Sequence, residues 1–227
     1  MLFPELKDRV AEIRTRIDAA VKRGGHAQNV TIVAVTKTHG PEAVEAAHAA
    51  GLEDIGENRV QEALSKMNAV NVPVRWHLIG HLQRNKVKSV DGFSLFHALD
   101  STRLADALNR FGIERGRPVD VLVQVNPARE ETKGGFDMRE IEAEATRLSG
   151  MKGLRVRGAM TIARLGADEA ELRETFASAR ETRRLLSLAG HPATELSMGM
   201  SNDFEIAVEE GATMVRLGSL LFGAREQ

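Results

Sequence analysis

TIVAVTKTHGPEAVEAAHAA, residues 31–50, holds one repeat of the fold. Ile32 to Thr36 is an apolar, β-branched run that reads as a buried strand. Lys37 follows at once, and Gly40 and Pro41 then break the chain before PEAVEAAHAA, a helical pattern over 41–50. An amine at the mouth of a strand made for a core asks for an explanation.

The alternation continues along the chain. Strands are expected at 31–36, 53–56, 74–80, 94–99, 119–125, 154–162, 194–198 and 213–217. Helical patterns separate them at 41–50, 59–70, 102–110, 138–148, 167–190 and 203–211. A further helix precedes them all. Leu6, Val10, Ile13, Ile17 and Val21 share one face, and Gly24 and Gly25 end it. VDVLVQV, 119–125, is almost continuously apolar, as strands covered on both faces are, which points to a parallel sheet. Eight strands alternating with helices predict an α/β fold, a single (β/α)8 barrel of the TIM type with an additional N-terminal helix over 1–25. A doubly wound open sheet is the alternative. No linker or further repeat divides the chain, so one domain over 1–227 is expected.

Composition narrows the function. Hydrophobic residues make up 42% but aromatics only 4%, so the core is expected to be aliphatic. With 31 basic and 32 acidic residues the net charge is −1, which gives no electrostatic case for nucleic acid or an anionic membrane. The chain has no cysteine, which excludes disulfides, thiol catalysis and thiolate metal sites and suits a reducing cytoplasm. No apolar run approaches the roughly 20 residues that span a bilayer. MLFPELKDRV is charged too early for a signal peptide. A cytoplasmic protein is the expectation.

In such barrels the site lies where the strands end. Strand one ends in Lys37. A surface lysine is the bland reading. In the barrel mouth, desolvation would lower its pKa and make the amine nucleophilic, as a Schiff-base lysine requires. Strand two ends in DIGENRVQE, 54–62, where Asn58 reads as a helix cap or as a donor to a ligand. In WHLIGHLQRNK, 76–86, His77 and His81 are four apart, but on a strand and turn that spacing makes no metal site, and none is expected. Arg84, Lys86 and Lys88 read as a solvated face. QVNPAREETKGGF, 124–136, has the length of a functional loop, although Glu130 and Glu131 carry no acid–base assignment. In GAMTIA, 158–163, Met160 is core or packs a flat ligand ring.

The last two strand ends are the most informative. In ELSMGMSNDFEIA, 195–207, Ser197, Gly199, Ser201 and Asn202 lead into a helix, where Ser201 or Asn202 caps it or the free N–H groups hold an anion. In VRLGSLLFG, 215–223, Arg216 is an isolated cation in an apolar strand, and Gly218 and Ser219 can bring backbone N–H groups close to a ligand. Together these residues describe a lysine facing a phosphate cradle with an arginine nearby. A phosphorylated carbonyl compound held as an imine fits, and sugar phosphates and pyridoxal phosphate both qualify.

AVTKTHG, DIGENRVQE, WHLIGHLQRNK, ELSMGMSNDFEIA and VRLGSLLFG, in that order, resemble the YggS/PROSC family, the pyridoxal phosphate homeostasis proteins. The resemblance implies a fold similar to the N-terminal barrel of alanine racemase and pyridoxal 5'-phosphate as cofactor. By position, Lys37 would form the internal aldimine, and Ser201, Gly218 and Ser219 would hold the phosphate. Arg216 would face the pyridine nitrogen, Asn58 would lie near the 3-hydroxyl side, and Met160 and Met200 would lie near the ring edges.

Arg216 bears on turnover. A cation there disfavours a protonated ring nitrogen and weakens the ring as an electron sink. The racemases that this barrel resembles draw their second base, a tyrosine, from a second domain. This chain has no tyrosine, and only GSLLFGAREQ follows Leu217. The expectation is a cofactor carrier with no catalytic residue. Its partners would be pyridoxal phosphate and the apo-enzymes that use it, and it would be a monomer. The enzymatic alternative is a pyridoxal phosphate-dependent amino-acid racemase or lyase. A cofactor-free Schiff-base aldolase using Lys37 is the other.

Overall fold

The computed structural model describes residues 3–127 and 134–223. Its strands are β1 (Thr31–Val35), β2 (Asp54–Glu57), β3 (Arg75–Leu78), β4 (Leu95–Leu99), β5 (Val119–Gln124), β6 (Leu154–Met160), β7 (Glu195–Ser197) and β8 (Met214–Leu217). They pair in chain order, all in parallel, and β8 closes on β1. The closed barrel is therefore borne out and the open sheet is excluded.

The α-helices among the described residues are α1 (Leu6–Gly24), α2 (Pro41–Ala49), α3 (Val60–Ala69), α4 (Thr102–Glu114), α5 (Ile141–Ser149), α6 (Glu169–Leu188), α7 (Phe204–Glu209) and α8 (Ser219–Phe222). Before β1, α1 buries Leu6, Val10, Ile13, Ile17 and Ala20. It stops where Gly25, at φ +70°, turns left-handed and returns its N–H to Val21 O. Arg16 and Arg23 then tie it to Glu205 and Glu209 of α7.

Two faces of each strand serve different layers. Ile32 and Ala34 pack outward with the helices, whereas Val33 and Val35 alternate to the inside, where Val33 Cγ1 would lie 2.9 Å from any Cβ placed on Gly56. Phe96, Phe176 and Phe204 are the largest fully buried side chains, and aliphatic residues fill most of the rest.

Departures from the expected elements have local causes. A 3-10 helix over Arg84–Gly92 joins β3 to β4, where no element is predicted. Its buried residues, Val87 and Val90, are three apart, the repeat of a 3-10 turn. Arg84, Lys86 and Lys88 are exposed on it, as expected. α5 starts at Ile141 rather than 138, because Asp137 first takes the Arg139 N–H in a side-chain turn. α6 starts at Glu169 because Asp168 and Glu171 form a reciprocal capping box. Asp168→Ala removes that acceptor and is expected to lower stability by about 1 kcal/mol, read as the shift of a urea unfolding midpoint at constant slope.

Candidate functional site

The cavity at the C-terminal end of the barrel has a volume of about 1010 Å³. Lys37, Asn58, Met200, Ser201, Arg216, Gly218 and Ser219 all line it. Met160 does not. It is completely buried, and Ile162, two residues further along, takes the cavity wall instead. Glu130 and Glu131 lie outside the described residues.

Each lining residue arrives from a strand end. Lys37 leaves β1 half-buried, in phase with the inward Val33 and Val35. Asn58 is exposed just past β2. It is not the cap of α3: Arg59 holds that position, with no side-chain bond to the helix. Neither Ser201 nor Asn202 caps α7. Asp203 holds the cap position and takes the Met200 N–H instead. Burial pushes the Asp203 carboxyl up, against the pull of that N–H and of Arg216.

The approach of β7 to α7 depends on Gly199. Its φ is +91°, and a Cβ there would lie 2.6 Å from Ala207 Cβ. Ser201 Oγ reaches the Leu220 N–H at 3.4 Å, so the segment after β7 and the start of α8 form one lip. At Gly218 an added Cβ would stand 3.3 Å from Val35 O and narrow the passage between that lip and β1.

Arg216 is 4% exposed. Its Nη1 donates to Ser197 Oγ at 2.7 Å and its Nη2 to Thr161 O at 2.9 Å. Burial lowers its pKa to about 10, with Asp203 opposing, so it stays a cation at neutral pH. Ser197 continues into a buried chain that the sequence does not reveal. His97 Nδ1 lies 2.8 Å from Ser197 Oγ, His97 Nε2 lies 2.9 Å from His77 Nδ1, and His77 Nε2 lies 2.9 Å from Asp54 Oδ1. Desolvation, then the fields of His77 and Arg216, pushes His97 well below the usual histidine range and keeps it neutral.

The direction of the chain follows from its chemistry. A guanidinium only donates, so the Ser197 proton goes to His97 Nδ1. His97 then donates from Nε2 to His77, and His77 donates from Nε2 to the Asp54 carboxylate, which Arg75 also holds at 2.6 Å. His77 does have an acidic partner, brought from β2 rather than from its own segment. His81 is exposed and meets Asp100 instead, so the two histidines never converge.

The chain matches the family described as "Alanine racemase, N-terminal domain" over residues 9–226. It is 39% identical over 223 residues to the pyridoxal phosphate homeostasis protein of Aquifex aeolicus, covering 96% of this chain and 98% of that one. The chain belongs to the alanine racemase N-terminal domain family, among its pyridoxal phosphate homeostasis proteins. Its counterpart in Pseudomonas aeruginosa is 38% identical over 224 residues, 97% of this chain and 96% of that one. Among solved structures, PipY of Synechococcus elongatus with PLP bound superposes with a TM-score of 0.85 at 38% identity, covering 96% of this chain and all of that one. The family and the observed (β/α)8 barrel therefore agree.

Burial acts to raise the Asp54 pKa, but the bonds from His77 and Arg75 outweigh it and hold the carboxyl at about 2. A depressed acid adds stability that is present above its unfolded pKa and lost as pH falls through the folded value. About 2 kcal/mol of stability is therefore expected to disappear between about pH 5 and pH 2. Urea unfolding across that range should show the loss, and Asp54→Asn should flatten it.

Proposed function

We propose that this chain binds pyridoxal 5'-phosphate at the top of its barrel and serves the intracellular balance of that cofactor, in the cytoplasm, without turning over amino acids. The observation that carries the reading is the convergence of Lys37, Arg216 and the Ser201, Gly218 and Ser219 lip on one cavity. The donor set suits the ligand: an amine for an aldehyde, hydroxyl and backbone N–H groups for a phosphate, and a buried guanidinium for a ring nitrogen. The names of the curated relatives and the cofactor in PipY support the same assignment. When bound, pyridoxal phosphate supplies an electrophilic aldehyde and an electron-withdrawing ring.

In this reading Lys37 Nζ holds the aldehyde carbon as a Schiff base. Ser201, Gly218 and Ser219 bind the phosphate, Asn58 orients the 3-hydroxyl side, and Met200 covers a ring edge. Arg216 faces the pyridine nitrogen as a donor. Its side chain is too buried and too firmly held by Ser197 and Thr161 to turn away. A fixed cation keeps a proton off that nitrogen, which weakens the ring as an electron sink and favours storage over turnover. The chain acts as one barrel domain and a monomer, and passes the cofactor to apo-enzymes that require it.

An absorbance spectrum before and after borohydride, with mass mapping of the reduced peptide, tests this directly. The expected result is a Schiff-base band that becomes a pyridoxyl group on Lys37. No band after addition of pyridoxal phosphate would overturn the reading in favour of a cofactor-free use of the lysine. Lys37→Ala is expected to abolish the band and change stability by no more than about 0.5 kcal/mol, because Lys37 serves the cavity and not the core. A reduced adduct at full yield on another lysine of that variant would refute the assignment.

A further inference from the structure

Lys37 is presented by a tight turn. Thr36 O accepts from the His39 N–H at 3.1 Å, and Thr38, the third residue, has φ +71°. That is the left-handed position of a type II turn, normally held by glycine. A β-branched side chain makes it unfavourable, so something outside the turn must hold Thr38 there.

One buried ion cluster grips the turn on both sides of Lys37. Lys66, on α3, is 4% exposed. Its Nζ donates to Thr36 O at 2.7 Å, to Glu57 Oε1 at 2.7 Å and to Glu62 Oε1 at 2.9 Å. Glu57 Oε1 also accepts from the Thr36 hydroxyl, and Glu62 Oε1 also accepts from the Thr38 N–H at 2.6 Å. Thr36 is thus tied to the ammonium directly, and Thr38 through Glu62. As a device for stability alone the cluster is poor, because it buries charge and leaves Glu57 Oε2 with no partner. Its contacts fall on the two residues that flank the cavity lysine.

We propose that Lys66, with Glu57 and Glu62, is a positioning residue for Lys37. The cluster holds Thr38 left-handed, which makes Lys37 the corner of the turn and sets the direction of its amine into the cavity. Without Lys66, Thr38 relaxes toward negative φ and the corner rotates. The inference rests on the reading of Lys37 as the Schiff-base lysine.

The test uses the full chain and two measures of Lys37. One is the rate of Schiff-base formation with added pyridoxal phosphate. The other needs no ligand: the rate of Lys37 acetylation by acetic anhydride, mapped by mass. Lys66→Met is expected to slow both by about tenfold or more. Adding Thr38→Gly should recover most of that loss, because glycine adopts positive φ freely. A purely structural role for Lys66 predicts no recovery. A folded Lys66→Met protein with wild-type rates in both measures would overturn the proposal. If that variant does not fold, Glu62→Gln, which weakens the tie between Lys66 and Thr38, should slow both rates, and unchanged rates would again overturn it. If the wild type forms no Schiff base, the cofactor reading fails, and the acetylation rates alone decide the positioning role.

Discussion

The pairing of β8 with β1 is the constraint on which the site depends. It sets Val33 beside Arg216 and Ala34 beside Leu217 in a parallel register. Neighbouring residues in such a pair project to the same face, so the strand that delivers Lys37 and the strand that carries Arg216 open onto one cavity. Near opposite ends of the chain, these residues meet only because the sheet closes. The same closure leaves the segment after β8 against the segment after β7, where Ser201 Oγ meets the Leu220 N–H.

Closure also buries polar side chains, and a buried polar group is costly unless it is hydrogen-bonded. The chain from Arg216 through Ser197, His97 and His77 to Asp54 meets that demand in one direction, from an obligate donor to an obligate acceptor. Each link limits the next. The neutral state of His97 is set first by burial, to which the Arg216 cation beyond Ser197 adds, and the depressed Asp54 carboxyl anchors the far end beside Arg75. A buried cation at the cavity is therefore held by hydrogen bonds to Ser197 and Thr161, and its charge remains available to whatever the cavity binds.

The Lys37 turn follows a related logic on the outer side of β1. Inward residues of β1 and β2 line the barrel, while Thr36 and Glu57 face the other way, toward α3 and Lys66. The cavity face of β1 and the ion cluster on its opposite face are thus joined through one turn. The alternation of side chains along a strand makes this possible, since residues one apart belong to different layers.

Much of this was legible in the sequence. Periodicities of two and of three to four separate strands from helices, and the nearly unbroken apolar runs reveal a sheet covered on both faces. Lys37, Arg216, Gly218 and Ser219 stand out because each is polar or small where an apolar residue is expected. Met160 could not be placed this way: an apolar residue near a strand end carries no mark that tells core from cavity wall. Caps show the same limit: Ser201, Asn202 and Asp203 all have side chains able to cap, and at α3 the cap position falls on Arg59 rather than on Asn58, because the backbone path and not the residue type selects it. The pairings of His77 with Asp54, of His97 with Ser197 and of Lys66 with Thr36 were not legible at all. They join residues far apart in sequence, and their geometry exists only once the strands close. What the sequence determined by itself was the order of elements and the chemistry at each strand end, because both depend on local patterns. Which of those groups meet, and in what state of charge, was decided by the tertiary structure, because contact and desolvation belong to the closed barrel.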